Sequence, residues 1–417
     1  MSINESLWIG VSGLMSHGDA MSIVGDNIAN ASTVGFKRER ANFEDVLGGE
    51  LTNQRMGGGV FLGNAQTMFE QGGLQQTGNP LDLALQGKGM FVVKGSHDGV
   101  NGNFYTRAGQ FSMDNTGTVV NQQGMKLQGY TVDPTTGVRS NTLGDLAIGS
   151  RTSPPIATAT AKTAMQLDSN ATAVPAATTF DPANPSSYTY NTSEQIYDSL
   201  GNAHTVNMYY RKDTAGSWSY HAMVDGSEVT GGTAGVQSEI GSGTLTFDTN
   251  GQLTAQTANA VTANFVGATA QNVAFTFDGS TQTANDSSTI STDISGRPAG
   301  AVTNIEIDSD GSVIGKFSNG DSAKLAQVAV ATFANEEGLG RVGDNLMSAT
   351  TSSGQALIDG ASVDGRASIR QGALEESNVD LSTELVTLIA YQRAFQANSK
   401  TVTTADDMLQ EVVNLKR

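Results

Sequence analysis

Cysteine is absent from this chain of 417 residues. Its absence excludes disulfide bonds, cysteine zinc sites and thiol nucleophiles, and it leaves the redox compartment open. No apolar run approaches the ~18 residues that a membrane-spanning helix needs, so we expect no membrane insertion. The N-terminus also lacks a basic stretch followed by an unbroken apolar stretch. We therefore expect no cleavable secretion signal.

Basic residues are scarce, because 23 Lys and Arg face 41 Asp and Glu and give a net charge of −18. Binding to a phosphate backbone requires a basic surface, so we expect no nucleic-acid partner. Aromatic residues make up only 6 % and charged residues 15 %, whereas 49 positions are Gly. This composition is typical of short strands and turns with small side chains, and the length allows several domains.

Catalytic and cofactor motifs are also missing from the sequence. None of the four histidines has a second His, a Cys or an acidic residue at the sequence spacing that is typical of metal ligands. They are His17, His97, His204 and His221. There is no phosphate-binding loop, dinucleotide fingerprint or nucleophile elbow. Carboxylates such as Asp198 and Asp225 offer a nominal glycosidase pair, but any acidic β protein offers such pairs. We expect no enzyme activity, no metal and no cofactor.

The last forty residues carry the strongest pattern in the chain. An apolar residue recurs there every seven positions, which predicts a helix with a narrow stripe that packs on another helix. The stripe consists of Leu381, Leu388, Phe395, Val402 and Leu409, with Leu385 beside it. Ser377 and Asp380 are candidate N-caps, and no Gly or Pro follows them. A helix of ~35 residues would span ~50 Å.

The N-terminal segment shows the same spacing. Its stripe consists of Leu7, Leu14, Met21 and Ile28, with Val11 beside it. Four glycines interrupt this helix, and each costs roughly 0.5–1 kcal/mol relative to Ala. The two stripes predict that the ends of the chain pair, either as a hairpin within one chain or in a bundle with other copies. We take these eleven residues as the predicted self-assembly interface.

The middle of the chain has the texture of β structure. Residues 33–76 are Gly-rich and aperiodic, which predicts an extended connector, and apolar alternation begins at residue 77. A turn of the form apolar-x-apolar-Asp-x-x-Gly-x-apolar recurs at 111–119, 245–253 and 305–313. Its Asp accepts backbone amides and its Gly supplies a positive φ, so it predicts antiparallel hairpins rather than a calcium loop.

Residues 155–297 form a more acidic block that contains most of the tyrosines. Its aromatic stretch at 209–220 is either a sugar-binding platform or the core of an inserted domain, and we favour the core. The predicted fold is therefore α+β and multidomain, with two mainly antiparallel β domains nested between coiled-coil-like terminal helices. The predicted domains are a terminal helical domain (1–32 and 375–417), the connector (33–76), a discontinuous β domain (77–154 and 298–374) and an inserted outer β domain (155–297).

Several motifs resemble the family of bacterial flagellar rod and hook proteins. They are GDNIANASTVGFK at 25–37, QTGNPLDLA at 76–84, YTRAG at 105–109, ALEESNVDL at 373–381 and AYQRA at 390–394. Two further stretches resemble the hook members in particular, namely YDSLGNAH at 197–204 and ATFAN at 331–335. Asp26 departs from the family pattern, which usually has Asn at that position. Most of residues 155–297 matches only loosely.

The resemblance implies a structural subunit of the flagellar hook, a homopolymer that forms a curved tube and acts as a flexible universal joint. It implies bundling of the terminal helices with those of neighbouring copies, and an extracellular location after export by the flagellar type III apparatus. The implied partners are the rod, the hook cap and the hook–filament junction proteins. A distal rod subunit and a secreted adhesive or sugar-binding β protein are the alternatives. A distal rod subunit would share the terminal motifs, and a secreted β protein would account for the β texture.

Overall fold

A computed structural model describes residues 3–47, 57–133, 136–149, 151–260 and 262–415 of the chain. One helix lies at each end, α1 (Ile3–Ala29) and α2 (Leu381–Leu415). The carboxylate of Asp380 accepts the backbone N–H groups of Ser382 and Thr383 at 2.8 and 3.1 Å. This side chain therefore caps α2, because it satisfies amides that lack a partner within the helix. The predicted C-terminal helix and its cap at Asp380 are confirmed.

Strands fill the chain between the two helices. The first ten are β1 (Glu39–Leu47), β2 (Gly57–Thr67), β3 (Leu74–Gln76), β4 (Leu83–Gln86), β5 (Met90–His97), β6 (Val100–Thr106), β7 (Ser112–Met113), β8 (Val119–Val120), β9 (Lys126–Val132) and β10 (Arg139–Asp145). The next ten are β11 (Thr152–Ser153), β12 (Thr160–Asp168), β13 (Tyr190–Tyr197), β14 (Ala203–Thr214), β15 (Ser217–Asp225), β16 (Gln237–Phe247), β17 (Leu253–Ala260), β18 (Ala274–Thr276), β19 (Thr281–Thr283) and β20 (Ser288–Ile294). The remaining strands are β21 (Gly300–Ile307), β22 (Ser312–Phe317), β23 (Ser322–Thr332), β24 (Gly340–Gly343), β25 (Leu346–Ser348), β26 (Leu357–Gly360), β27 (Ser368–Gln371) and β28 (Ala373–Glu375).

The predicted extended connector at 33–76 is wrong over much of its length, because β1 and β2 form an antiparallel hairpin there. The hairpin lies on α1, where Ser16 Oγ donates to Val60 O at 3.1 Å and Val60 N donates to Ser12 Oγ at 3.3 Å. A Cβ on Gly59 would stand 2.2 Å from Ser12 Oγ, so this glycine permits the close contact. Glycines at four of the eleven positions of β2 obscure its strand pattern, and the hairpin is supported by residues of α1 that lie 44 and 48 positions earlier in the chain.

The chain divides into two compact units. Unit 1 comprises residues 1–151, 304–316 and 322–417, and within it the strands before residue 151 pair with those after residue 322. β4 pairs with β27, β3 with β28, and β23 with both β5 and β9, all antiparallel. A cluster of buried side chains holds this body together, including Met90, Val92, Tyr105 and Phe333. These long-range pairings place β28, which leads into α2, on the same β framework as the segment that follows α1.

Unit 2 comprises residues 152–303 and 317–321. Five antiparallel strands run in the order β13-β14-β15-β16-β17, and a second sheet is built on β12, which is parallel to β18 and β19 and antiparallel to β20. Their core includes Tyr210, Trp218 and Tyr220, which are 0–1 % exposed. Burial of these rings confirms that the aromatic stretch at 209–220 is a core and not a binding platform.

The recurring turn has the predicted chemistry. Asp114 Oδ1 accepts the backbone N–H groups of Thr116 and Thr118 at 2.8 Å each, and Gly117 has a φ of 79°. Asp248 does the same for residues 250 and 252, with a positive φ at Gly251. In the third copy the pattern assigns this role to Asp308, but the side chain that accepts is that of Asp310, from Ser312 N at 2.9 Å. Hydrogen bonds from Thr116 and Thr118 lower the pKa of Asp114 below its ordinary value.

Glu194 is a buried carboxyl group in unit 2. Its Oε2 accepts a hydrogen bond from Thr163 Oγ1 at 2.7 Å, while Oε1 is buried without a partner in the part of the chain that the structure describes. Burial raises the pKa of Glu194 above 4.5, although the Thr163 hydroxyl acts in the opposite direction. Because the folded-state pKa is raised, the stability that Glu194 contributes is present below the unfolded-state pKa and is lost as pH rises through the folded-state pKa.

We predict that Glu194→Gln makes unit 2 more stable, relative to the native chain, as pH rises from 4 to 8. The native carboxylate must ionise in an apolar core over this range and Gln cannot, so the difference should reach on the order of 1 kcal/mol. Urea unfolding of the two proteins at several pH values measures it. Thr163→Val should make the stability of unit 2 fall more steeply with rising pH than in the native chain, because it removes the hydroxyl that donates a hydrogen bond to Glu194. Parallel pH profiles for the native chain and Glu194→Gln would contradict the assignment.

Candidate functional site

The two terminal helices pair within one chain through small side chains. The buried face of α1 consists of Gly10, Gly13, Ser16, Ala20, Val24 and Asn27. A Cβ on Gly10 would stand 2.7 Å from Val402 Cγ2, and one on Gly13 would stand 2.6 Å from Asn398 Nδ2. These two glycines let α2 approach the backbone of α1. The sequence analysis counted them only as a cost to the helix and missed this use.

Of the eleven predicted interface residues, Val402 lies in this contact, opposite Gly10, and the others are half-buried or exposed. Eight are half-buried: Leu7, Val11, Leu14, Met21, Ile28, Leu388, Val402 and Leu409. Three are exposed: Leu381, Leu385 and Phe395. The pairing of the chain ends as a hairpin within one chain is therefore observed. Contact of these residues with other copies stays a prediction.

The outer faces of the helices carry large apolar side chains outside the eleven predicted interface residues. Trp8 and Met15 of α1 are 71 % and 68 % exposed. They are seven residues apart, so they lie on one line along the helix and continue the apolar band of Leu7, Val11 and Leu14. On α2 the exposed set adds Val386, Ile389, Met408, Val412 and Val413. The seven-residue spacing of Trp8 and Met15 was the signal that was available in the sequence.

Three aromatic rings join α1, α2 and the β1–β2 hairpin. The ring centroid of His17 lies 5.2 Å from that of Phe43 and 5.9 Å from that of Tyr391, and the latter two are 5.8 Å apart. We call these three residues the ring junction. Burial lowers the pKa of His17 below 6.5, and it raises the pKa of Tyr391 above 10.0. The ring junction therefore connects the two ends of the chain to the hairpin between them.

A buried ion triad fixes the segment that follows α1 and the segment that precedes α2 to the β body. Glu375 Oε1 lies 2.6 Å from Lys37 Nζ, and Glu375 Oε2 lies 3.2 Å from Arg107 Nη1. The side chains of Lys37 and Glu375 are fully buried and that of Arg107 is 4 % exposed. Lys37 also donates to Glu70 O at 2.7 Å, and Arg107 Nη2 donates to Gly87 O at 2.6 Å. Burial lowers the pKa of Lys37 below its ordinary value, although Glu375 acts in the opposite direction.

Hydrogen bonds around the triad hold the same segments in register. Gly35 N donates to Glu375 O at 2.8 Å, and a Cβ on Gly35, whose φ is 71°, would stand 2.5 Å from Ala108 N. Asn27 side-chain atoms pair with both the N–H and the C=O of Glu39, at 2.9 and 2.7 Å. The motifs at 25–37, 105–109 and 373–381 therefore meet at one point. The glycine, the asparagine and the buried charged residues occur in these motifs because the three segments contact one another here.

Asp26, which departs from the family pattern, takes part in an ionic contact near this point. Arg341 Nη1 lies 2.7 Å from Glu39 Oε1 and 3.6 Å from Asp26 Oδ2, and its guanidinium carbon is 5.0 Å from the Phe36 ring centroid. The carboxylate of Asp26 therefore adds charge to a site that connects the end of α1 to β24. Asn would offer only a neutral oxygen there.

Unit 2 contains one histidine cluster that the sequence analysis did not foresee. His204 Nδ1 lies 2.6 Å from Glu228 Oε2, and Nε2 lies 3.2 Å from Asp198 Oδ2, while the ring stacks on Phe265 at 3.7 Å. Burial acts to raise the pKa of Asp198, but hydrogen bonds from Asn202, His204 and Leu200 bring it below its ordinary value. Because opposite ring nitrogens are used, the cluster joins loops and does not converge on one metal position.

Two observations concern the described residues as a whole. Among them, no group of three or more His, Cys, Asp or Glu side chains is arranged to hold a metal ion. Neither helix is long and apolar enough, over the part that the structure describes, to cross a membrane. We therefore take the terminal module as the candidate functional site. It comprises α1, α2 and the β1–β2 hairpin, and the ion triad anchors it to the β body.

We predict that Glu375→Gln lowers the free energy of unfolding of unit 1 by about 3–5 kcal/mol, because it leaves two buried cations without a counter-charge. Urea unfolding measures the loss. Asp359→Asn is the matched control, since Asp359 pairs with Arg139 at 2.7 Å but both side chains are about one third exposed. That variant should cost only about 0–1 kcal/mol. Equal losses for the two variants would show that burial of the triad is unimportant.

We also predict that Gly10→Ala and Gly13→Ala together weaken the packing of α1 on α2, because each new methyl group meets a side chain at 2.6–2.7 Å. Gly18→Ala and Gly25→Ala are the matched controls, since nothing lies within 4 Å of a Cβ there. The controls should stabilise α1 by roughly 0.5–1 kcal/mol each through helix propensity. Thermal melts followed by circular dichroism separate the pairs. Stabilisation by all four substitutions would disprove the close contact.

Family models match four parts of the chain. They are the flagella basal body rod protein model at 7–37, the flagellar hook protein FlgE/F/G D1 domain at 84–174, the flagellar basal body protein FlaE D2 domain at 166–296 and the flagellar basal body rod FlgEFG protein C-terminal model at 370–415. A crystal structure of Helicobacter pylori flagellar hook protein FlgE2 is similar with a TM-score of 0.46 and 15 % identity, covering 72 % of this chain and all of that one.

Full-length relatives carry the assignment. The chain is 36 % identical to flagellar hook protein FlgE of Salmonella typhimurium over 409 residues, which is 97 % of this chain and 98 % of that protein. It is 34 % identical to flagellar hook protein FlgE of Treponema pallidum over 480 residues, which is 99 % of this chain and all of that protein. At this identity and coverage, the chain belongs to the flagellar hook protein FlgE family, a family of structural proteins of the flagellum.

Proposed function

We propose that the terminal module assembles this chain into the hook, with its outer apolar faces buried against neighbouring copies. The observation that carries the proposal is the division of the two helices into two kinds of face. The face between α1 and α2 uses Gly10 and Gly13, which meet Val402 and Asn398, whereas the large side chains Trp8 and Met15 are exposed to solvent. A tryptophan at 71 % exposure is a typical anchor of a protein interface and a poor surface residue.

The proposed interface extends along both helices. On α2 it includes Leu381, Leu385 and Phe395, which are exposed in the single chain, together with Val386 and Ile389. Seven half-buried residues complete the interface, whereas Val402 meets Gly10 within the chain. The seven are Leu7, Val11, Leu14, Met21, Ile28, Leu388 and Leu409. Burial of a large apolar side chain contributes roughly 1.5–3 kcal/mol, so a few per subunit suffice for a stable polymer.

The proposed polymer is a curved tube that transmits torque from rod to filament as a flexible joint. The anchoring of both helices to the β body through Glu375 supports this role, because it passes force from the helices to the body without a loose linker. The proposed outer domain, residues 155–297, has twelve acidic and four basic residues, so its contacts with other copies should be weak and adjustable. The rod, the hook cap, the hook–filament junction and the type III export apparatus are the proposed partners.

Trp8 supplies a direct test of assembly. The chain has two tryptophans, and the other, Trp218, is fully buried in the core of unit 2. We predict that the emission of Trp8 shifts to shorter wavelength when the purified chain polymerises, whereas that of Trp218 stays constant. Trp8→Ser with Met15→Ser should raise the concentration needed for polymerisation by at least tenfold, because two anchors are lost.

Val100→Ser is the matched control for this test, because Val100 is 62 % exposed but lies at the start of β6, away from the helices. It should polymerise like the native chain, and electron microscopy should show curved tubes for both. Normal polymerisation of the Trp8→Ser, Met15→Ser variant would place the interface elsewhere. Short straight cylinders from the native chain would favour the distal rod alternative, and isolated particles the adhesive alternative.

A further inference from the structure

The hairpin of β22 and β23 has a tip that belongs to unit 2, while the rest of both strands belongs to unit 1. This tip is Phe317–Asp321, and we call it the β22–β23 tip. Unit 2 therefore has two segments, the long segment of residues 152–303 and the β22–β23 tip. The chain passes between the units at four places, after residues 151, 303, 316 and 321. A domain inserted at one point would have two such passages.

One carboxylate of the β22–β23 tip contacts both ends of the long segment. Near the first end, Ser153 Oγ donates to Asp321 Oδ2 at 3.1 Å. Near the last end, Arg297 Nη2 lies 3.2 Å from the same oxygen. Ser153 is 3 % exposed and the side chain of Asp321 is 18 % exposed, so water screens this contact only in part. Asp321 therefore joins two donors that are far apart in the sequence.

Further hydrogen bonds hold the β22–β23 tip on the last part of the long segment. Asn319 Nδ2 donates to Pro298 O at 2.8 Å. Ser318 N donates to Ala301 O at 2.8 Å, and Ala301 N donates to Ser318 Oγ at 3.2 Å. A Cβ on Gly300 would stand 2.6 Å from Asn319 Cγ, so this glycine permits the close contact. The two segments of unit 2 therefore contact each other over several residues.

The direct pairing of the two ends of the long segment is short. β11 pairs with β21 over two residue pairs, and an isolated bridge joins Ile156 to Arg297 with both of its hydrogen bonds at 2.9 Å. A ladder of this length frays readily, because few hydrogen bonds oppose the entropy that the freed chain gains. A further contact that holds both ends at once should therefore strongly reduce how often they open.

We infer that the β22–β23 tip is a clasp, which locks the two ends of the long segment together through the carboxylate of Asp321. The clasp uses no residue of the terminal module, and it rests on the proposed function only for its mechanical meaning. β23 continues from the tip into pairs with β5, β9 and β26, so the clasp is part of a hairpin that is held along its length. A load on unit 2 would then be shared by four chain passages.

Hydrogen exchange of the full chain, read at single amides, tests the clasp. Asp321→Ala should raise the exchange rates of the Ile156 and Ala301 amides about tenfold, because both donors lose a charged acceptor. Asp213→Ala is the matched control, since Asp213 Oδ1 also pairs with an arginine, Arg211 Nε at 3.0 Å, but lies in β14 and not at the β22–β23 tip. The control should leave the two amides unchanged.

The clasp also predicts an effect in the opposite direction. Arg297→Ala should raise the exchange rate of the Ser318 amide, which belongs to the tip. The double variant of Arg297→Ala and Asp321→Ala should exceed either single variant only slightly, because both substitutions break one contact. Independent local contacts would instead give effects that stay within each segment and that add.

The emission of Trp218, recorded in a Trp8→Phe background, shows whether each variant keeps the core of unit 2. If Asp321→Ala alters that emission, Asp321→Asn replaces it and should affect the same amides to a smaller extent, because it keeps a neutral acceptor. The clasp is disproved if the variant with an intact core exchanges at Ile156 and Ala301 like the native chain, or if Asp213→Ala has an equal effect. Polymerisation is measured separately, and its failure in the native chain would count against the proposed function alone.

Discussion

The ion triad of Lys37, Arg107 and Glu375 is the contact on which the rest of this structure depends. Each member comes from a different part of the chain, and the carboxylate serves both cations in a site without solvent. A buried ionic contact is a poor source of net stability, because desolvation offsets most of the attraction. It is strongly directional, however, and removal of one partner is costly. The triad therefore specifies where the segment that follows α1 and the segment that leads into α2 lie on the β body.

The terminal module uses small and large side chains for different purposes. Gly10 and Gly13 permit a close contact between α1 and α2 that buries little apolar surface. The large side chains are left for the opposite faces, as Trp8 and Met15 show. A single chain that exposes so much apolar surface in rows is poorly suited to remain alone in water. Packing within the chain and packing between chains thus use separate faces of the same two helices.

Sequence patterns predicted the periodic parts of the fold well. The seven-residue spacing gave the length of α2, and Asp380 gave its start, because both depend on local chemistry. The hairpin at β1–β2 was missed because β2 is glycine-rich and is supported by residues of α1 that lie 44 and 48 positions earlier in the chain. The histidines illustrate the same limit. His204 appeared isolated, yet folding brings it between Asp198 and Glu228, and no spacing rule encodes that contact.

Sequence patterns predicted that the two terminal helices pair, but they did not predict which face of each helix contacts the other. A seven-residue stripe identifies which side of a helix is apolar, and it does not show which partner covers that side. Val402 and Phe395 belong to one stripe, yet Val402 meets Gly10 within the chain while Phe395 is left exposed. The difference arises from the crossing of two helices, which is a property of the folded chain. Each member of the triad lies in a motif shared with the family, but no pattern in the sequence indicated that the three side chains meet.

The central claim is that each chain keeps its own α1–α2 pair and presents the outer faces of that pair to its neighbours. A reconstruction by electron cryo-microscopy of tubes assembled from the purified chain, at a resolution that shows side chains, tests this most directly. The account predicts that Gly10 and Gly13 contact Val402 and Asn398 of the same chain, and that Trp8 and Met15 are buried against another copy. Exchange of α2 between copies, or Trp8 facing solvent in the tube, would contradict it.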